Sequence, residues 1–429
     1  MLKMKYKDQT KEQGTLTSFK PELGDNFLLF VPEDQTKPRK VFIRDLETCF
    51  NDDEDLLQKA IDQGYNSDID TNFHKSGGVL HENKISKIFY SRNYNYIYHK
   101  KNGFFMRWGN TKEDDPVMSI HGPEIADIEI STICHGIKNK PCKWCYKSNT
   151  GSGDNMSLET FKKVFEKLPQ VLTQIAFGIG DIDGNPDLWN IFEHCMTNGI
   201  TPNVTINGDR MTDEDYDKLV NFCGAVAVSC YDPNDVCFDA VHELTKRGLS
   251  QTNIHKLLSE ETYEECLDLI DKVCTDPRLE NLNAIVFLAL KERGRGTCMH
   301  SLRDTERYKQ LVAKAFKAGV AIGFDSCSAP TFLKSVQDYP NYEELEQLSE
   351  PCESTLFSIY IDVYGNVWPC SFLENCEYEP INLLEIDNFK NDCWHHEKLN
   401  KFRRDLLATT KCEKCLVAGV RQCPVYDLY

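Results

Sequence analysis

The sequence predicts an α/β protein built around a parallel sheet, and three observations carry that reading. Strand-like and helix-like stretches alternate from about residue 124 to residue 324. A stretch with a different pattern, residues 1–122, precedes them. From about residue 346 the alternation gives way to a short segment rich in Cys and turn residues. The domains are therefore read as 1–122, an N-terminal α+β module; 123–345, the alternating domain; and 346–429, a small Cys-rich module.

Within 1–122, Asn26–Val31 and Lys40–Ile43 read as strands and Asp53–Gln63 as a helix. The aromatic block Lys87–Trp108 alternates and breaks at Lys101-Asn102-Gly103, which signals a hairpin. Its rings suit either a sheet packed on a core or a surface that docks a substrate. Residues 109–123 are polar and read as a linker. In the alternating domain, strands are expected at Ala126–Thr132, Thr173–Phe177, Thr201–Ile206, Ala225–Cys230, Thr252–Leu258, Leu282–Leu290 and Val320–Phe324. Ser157, Asn185 and Thr212 are expected to cap helices, Thr212 with Asp215 in a near capping box. Further helices are expected near Val236–Lys246, Glu261–Val273 and Thr305–Ala318. Such a series closes into a barrel or lies flat as a doubly wound layer. In both, chemistry belongs at the C-terminal ends of the strands.

Composition excludes several classes. The 429 residues carry a net charge of −18, which disfavours a nucleic-acid binder and a polybasic membrane anchor. No apolar run approaches the roughly 20 residues that span a bilayer. The basic N-terminus lacks the apolar core of a secretory signal, so the chain is expected to be cytoplasmic. In a reducing compartment, 19 Cys call for an explanation other than disulfides. Cys195, Cys223, Cys266 and Cys274 lie in helix-like stretches and read as packing residues. The rest gather in two places, and clustered thiols usually mean zinc or iron–sulfur.

The first cluster, Cys134, Cys142 and Cys145, follows the first strand of the alternating domain with the spacing C-x7-C-x2-C. A closed zinc site wants four ligands, which His135 would have to complete. Three thiols on a [4Fe–4S] cluster leave one iron open. With Trp144 before the third Cys, this loop resembles that of the radical S-adenosylmethionine (radical SAM) enzymes, whose motif is C-x3-C-x2-C. The first gap is four residues longer here and would bulge into solvent. Further likenesses follow in order along the chain. Gly178-Ile179-Gly180-Asp181 stands where the family receives the amino group of SAM, a role open to Asp181 or Asp183. Asn207 resembles the family's T-N-G segment, Ser229 stands where polar groups meet SAM, and Gly294-Arg295-Gly296 resembles a Gly-Arg turn.

In the second cluster, Cys352 and Cys370 frame a hairpin with Gly365-Asn366 at its turn, spaced C-x12-G-x4-C, and Cys412, Cys415 and Cys423 follow. By spacing alone a four-thiolate zinc ribbon would serve. The pattern resembles the auxiliary-cluster modules called SPASM and twitch, which implies Cys352, Cys370, Cys412 and Cys415 as ligands, with Cys423 a further candidate. Cys327, Cys376, Cys393 and Cys423 would allow a second auxiliary cluster. Cys327, at a strand end, is a candidate ligand, hydrogen donor to a substrate radical, or buried thiol.

The resemblance implies a partial (β/α)6-type TIM barrel. It implies an oxidoreductase in which a [4Fe–4S] cluster on Cys134, Cys142 and Cys145 reduces SAM to a 5′-deoxyadenosyl radical that takes hydrogen from a substrate. Trp144, Gly178, Ile179, Gly180, Asp181, Asn207 and Ser229 would bind SAM, and at least one auxiliary [4Fe–4S] cluster would accept an electron or anchor the substrate. A flavodoxin or ferredoxin would donate electrons. A peptide or protein substrate is the first expectation. Small-molecule or nucleotide modification, and a non-catalytic iron–sulfur or zinc protein, are the alternatives.

Overall fold

The computed structural model of the chain describes residues 1–6, 11–18, 27–33, 35, 37, 39–42, 46–52, 54–56, 58–59, 78–91, 93–109, 116–409 and 422–426. It divides into two compact units, Met1–Val79 with Tyr90–Arg92, and Leu80–Phe89 with Asn93–Tyr429. Among the described residues no helix is long and apolar enough to cross a membrane.

The first unit holds strands β1 (Leu2–Tyr6), β2 (Lys11–Ser18), β3 (Phe27–Pro32), β4 (Arg39–Phe42), β5 (Leu46–Asn51) and β6 (Glu54–Asp55), in an antiparallel sheet ordered β4-β3-β2-β1-β5-β6. Leu2 and Met4 on β1, and Leu28 and Phe30 on β3, bury one face, as the two-residue period of a half-buried strand requires. The helix expected over 53–63 falls mostly outside the described residues, with positions 56, 58 and 59 helical.

The second unit includes an antiparallel sheet ordered β10-β9-β8-β7, formed by β7 (Gly78–Glu82), β8 (Ser86–Ser91), β9 (Asn95–His99) and β10 (Phe105–Trp108). The hairpin expected at 101–103 joins β9 to β10, with Gly103 at φ 70° and its N–H donating to the His99 carbonyl. The rings of Phe89, Tyr94, Tyr96 and Tyr98 are buried as core with Leu356, Phe357 and Phe402, while Phe104 and Met106 at the hairpin are exposed. Tyr96 donates to the Val171 carbonyl at 2.8 Å and Lys87 to the Leu172 carbonyl at 2.6 Å. These bonds tie the aromatic sheet to the barrel, and the compact-unit division accordingly falls near residue 79 instead of 122. The linker expected over 109–123 is also packed where it is described: Trp394 Nε1 donates to the Ser119 carbonyl at 2.7 Å.

Strands β11 (Ile125–Glu129), β12 (Gln174–Gly178), β13 (Thr201–Ile206), β14 (Val226–Ser229), β15 (Thr252–Leu258), β16 (Ala284–Ala289) and β17 (Ile322–Phe324) run parallel in sequence order. Helices α1 (Leu158–Lys167), α2 (Leu188–Thr197), α3 (Asp213–Phe222), α4 (Asp235–Lys246), α5 (Tyr263–Thr275), α6 (Thr305–Ala318) and α7 (Ala329–Val336) follow these strands in turn. A short helix, α8 (Tyr342–Gln347), leads into the C-terminal module. There β18 (Ser358–Ile361) takes the free edge of β11 in parallel. Antiparallel β19 (Asn366–Trp368) and β20 (Ile381–Asn382) extend the sheet, and α9 (Glu397–Ala408) follows. The result is a partial barrel continued by the C-terminal module.

Ser157 Oγ caps α1, accepting from Thr160 N–H at 3.2 Å, and Thr212 with Asp215 forms a full capping box on α3. The N-cap position of α2 is Asp187, and Asn185 just before it accepts from Asp187 N–H through Oδ1 at 2.8 Å. The Asn185 amide nitrogen also donates to the carbonyls of Ile130 and Met156, pinning the end of the first barrel strand.

Apolar residues such as Ile128, Phe177, Val204, Val228 and Ile285 pack outward under the helices. The alternate positions face inward, and Ala176, Ala227 and Gly323 are too small to fill that space, where barrels usually carry bulky side chains. Asp127 and His255 also lie at inward positions. Desolvation pulls His255 from its ordinary 6.5 down to about 4, against the nearby Asp325 carboxylate. Protonating His255 therefore costs the folded state. As pH falls from about 6.5 toward about 4, the wild type should lose stability that His255→Gln keeps. Chemical denaturation across that range checks this, and parallel stability curves for the two proteins would contradict it.

Candidate active site

The first thiol set lies on the loop from β11 to α1, at the C-terminal edge of the sheet. Between Cys134 and Cys142 the chain makes a tight turn over Ile137–Lys140, with residues 138–141 exposed. Cys134 N–H donates to the Thr150 carbonyl at 2.8 Å, and Asp181 N–H donates to the Ile133 carbonyl at 3.0 Å. The three thiols interact electrostatically with one another. Desolvation raises Cys134 above its ordinary value and pushes Cys142 up to about 11.

Two glycines let neighbouring segments touch this loop. A Cβ on Gly180 would stand 2.1 Å from the Ile133 carbonyl oxygen and 2.5 Å from Cys134 Cβ. Gly294, at φ 57°, would meet the Tyr146 carbonyl oxygen at 2.3 Å. The Gly-Arg turn is thus a brace. Arg295 Nε donates to the Cys142 carbonyl at 2.8 Å, and its Nη1 donates to the Asn149 carbonyl at 3.0 Å.

Asp181, read from the sequence as a candidate to receive the amino group of S-adenosylmethionine, is bonded within the chain. Its buried carboxylate accepts from His135 N–H at 2.8 Å and from Asn207 Nδ2 at 3.0 Å, and contacts the His135 ring at 2.7 Å. Arg210 completes the set as an ion pair. Against the desolvation that opposes ionisation, these bonds from Arg210 and His135 hold the carboxyl below its ordinary range. Asp181 therefore braces the Cys loop. Gly178, Ile179 and Gly180 at the end of β12, Asn207 after β13 and Ser229 ending β14 share the edge that carries the Cys loop. Trp144 packs against Tyr231, with ring centroids 4.8 Å apart.

The second thiol set is described only in part. Cys412 and Cys415 lie outside the described residues. Cys327, on a short turn after β17, interacts electrostatically with Cys352, Cys370 and Cys423, and Cys352 and Cys370 with Cys423 in turn. Cys327 thus stands among thiols, not alone at the barrel mouth. Burial pushes Cys327 and Cys370 up to about 12 and raises Cys352 as well. Cys327, Cys352 and Cys370, which resist ionising, stand with Cys423 and fit a site whose charge is balanced by bound iron, since metal ligation deprotonates a thiol outright. Among the described residues no three His, Cys, Asp or Glu side chains close to single-ion distances. A four-iron cube is wider than one ion and accommodates thiols spaced farther apart.

The two sets are joined by residues that sequence reasoning passed over. Lys147 donates to Tyr360 Oη at 2.7 Å, pairs with Glu129 at 2.9 Å, and also pairs with Glu374. The Tyr146 ring lies 4.4 Å from that of Phe372. Arg293 donates to the carbonyls of Phe372 and Glu374, while Lys291 pairs with Asp325. Their only signal in the sequence is charge placed beside Cys residues and strand ends.

Residues 128–275 match the Radical SAM superfamily, and residues 352–416 match SPASM, an iron–sulfur cluster-binding domain. Among solved structures the fold is similar to Streptococcus suis SuiB bound to S-adenosylmethionine, at 16% identity and TM-score 0.51, covering 69% of this chain and 70% of that one. It is also similar to SuiB bound to precursor peptide SuiA, at 15% identity and TM-score 0.53, covering 70% of each chain. At that identity the likeness is one of fold. No curated protein matches the chain. The chain thus carries a radical SAM domain and a C-terminal iron–sulfur cluster-binding domain; it is an enzyme, and its cofactors are S-adenosylmethionine and iron–sulfur clusters.

Gly180→Ala should cost about 1–3 kcal/mol, the usual range for overpacking, because the carbonyl and Cβ it meets belong to the rigid Cys loop. Denaturant unfolding of the apoprotein measures this, and an unchanged midpoint would contradict the contact.

Proposed function

We propose that this enzyme oxidatively modifies or cross-links a peptide or protein side chain. In this reading Cys134, Cys142 and Cys145 hold the catalytic [4Fe–4S] cluster, and Cys327, Cys352, Cys370 and Cys423 hold an auxiliary one. The observation that carries it is the meeting of those four thiols beside the segment that Tyr146, Lys147 and Arg293 fasten to the first Cys loop. When bound, the catalytic cluster supplies the electron that cleaves S-adenosylmethionine, and the 5′-deoxyadenosyl radical takes hydrogen from the substrate. The chain's own residues fix where that happens. Arg295 and Asp181 hold the two ends of the Cys loop. Gly178, Ile179, Gly180, Asn207, Ser229 and Trp144 form the edge on which S-adenosylmethionine lies, the glycines by admitting close approach.

A peptide substrate is supported by the likeness to a fold solved with a precursor peptide. The inward space left by Ala176, Ala227 and Gly323 also leaves room for a side chain reaching into the barrel. Cys327 is assigned as a ligand because of the thiols around it, and a donor role is not needed. Cys412 and Cys415 remain available for a second auxiliary cluster.

Anaerobic reconstitution should give about eight irons per chain for two [4Fe–4S] clusters, or about twelve with a third. Cys134→Ala, Cys142→Ala and Cys145→Ala together should remove about four irons and abolish 5′-deoxyadenosine formation. A triple variant that still forms 5′-deoxyadenosine would overturn the catalytic assignment, and zinc in place of iron would overturn the auxiliary one. For the substrate, peptides encoded beside the gene should lose hydrogen by mass spectrometry when incubated with the reduced holoenzyme. Turnover of a small alcohol but of no peptide would refute the peptide reading.

A further inference from the structure

We propose that Lys291 and Asp325 form a buried charge pair that sets the reduction potential of the auxiliary cluster. The inference rests on the assignment of Cys327, Cys352, Cys370 and Cys423 as its ligands.

Lys291 follows β16, and its side chain is only 2% exposed. Its ammonium pairs with the Asp325 carboxylate and lies 4.8 Å above the Phe372 ring. The Cys327 and Cys370 thiols are electrostatic neighbours of the ammonium. Asp325 is fixed in turn, accepting from Ser328 Oγ at 2.6 Å. Both charges therefore sit on strand ends, and the ammonium stands between a carboxylate and the thiols.

Burying an ion pair is weak evidence of stabilisation, because desolvation offsets most of the attraction. Its placement against sulfur has a sharper consequence. Reduction adds one electron to a cluster that four thiolates already make negative. Net charge and hydrogen bonds to the sulfurs are among the factors that set a cluster's potential. At 2% exposure the charge on Lys291 is little screened by salt. The ammonium stabilises the reduced cluster and raises its potential, while Asp325 draws the ammonium away and lowers it. Lys291 is thus a positioning residue for charge, with Asp325 as its counterweight.

The test uses the reconstituted full-length chain carrying Cys134→Ala, Cys142→Ala and Cys145→Ala, so that only auxiliary iron reports. Its iron content, with and without the added changes Cys327→Ala and Cys423→Ala, examines the ligand assignment by itself. Redox titration followed by electron paramagnetic resonance then examines the charge pair. Lys291→Met should lower the midpoint by at least a tenfold change in the ratio of oxidised to reduced cluster, about 59 mV for one electron. Asp325→Asn should raise the midpoint, and Lys291→Arg should keep it near the parent. Opposite signs are expected of charge and not of loosened packing. Unmoved midpoints, or shifts of the same sign, would overturn the proposal while leaving the ligand assignment standing if iron is retained. If Lys291→Met takes up no iron, Asp325→Asn decides, with an upward shift supporting the proposal and none overturning it. A parent without iron would overturn both.

Discussion

The loop after β16 carries cations at Lys291, Arg293 and Arg295, and both thiol sets are fastened to it. Arg295 holds carbonyls of the first Cys loop, Arg293 holds carbonyls of the turn after Cys370, and Lys291 stands against Cys327 and Cys370. Guanidinium groups suit the first two tasks, because a planar fork of donors can span backbone carbonyls in fixed geometry. The loop itself is set by Gly294, whose lack of a Cβ lets the turn close on the backbone of Cys145 and Tyr146. A larger residue there would push apart the segments on which both sets depend.

Burial explains why such bracing is needed. A thiol in an apolar surround resists ionising, as the raised values at Cys142, Cys352 and Cys370 express. Thiolates gathered there persist only when positive charge compensates them, so the ligand loops must be held before iron arrives. Hydrogen bonds from outside the loops do this work. Asp181 accepts from the His135 backbone, Asn185 holds the end of β11's strand path, and Lys147 links Glu129 to Glu374 and Tyr360. Each buried charge in this set has a partner, as buried charge requires.

Much of this was legible in the sequence for identifiable reasons. The barrel strands alternate with amphipathic helices, and Ser157 and Thr212 announce helix starts through local chemistry that tertiary packing does not override. The Cys134, Cys142 and Cys145 set was legible because its members share one loop. That Cys327 and Cys423 stand with Cys352 and Cys370 was open in the sequence, because they come together only through the tertiary path of β17 and the chain end. The bracing role of Asp181 was not legible, because an Asp after G-x-G looks the same whether it meets a ligand or a neighbouring backbone N–H. Asn185 does meet an N–H at the start of its helix, but that its amide nitrogen also holds the Ile130 and Met156 carbonyls across the fold is not visible in the local sequence. The linker and the boundary at 122 failed because a polar stretch gives no sign that Trp394, far along the chain, will bond to its backbone.

The central claim is that two thiol sets, held by one loop, bind two clusters of different chemistry, one with an iron open to S-adenosylmethionine and one fully ligated by protein. The most direct measurement is electron paramagnetic resonance of the reduced wild-type holoenzyme before and after adding S-adenosylmethionine. The account predicts two overlapping signals, of which one shifts on addition while the other, which alone survives replacement of Cys134, Cys142 and Cys145, does not move. A single signal, or two that shift together, would contradict it.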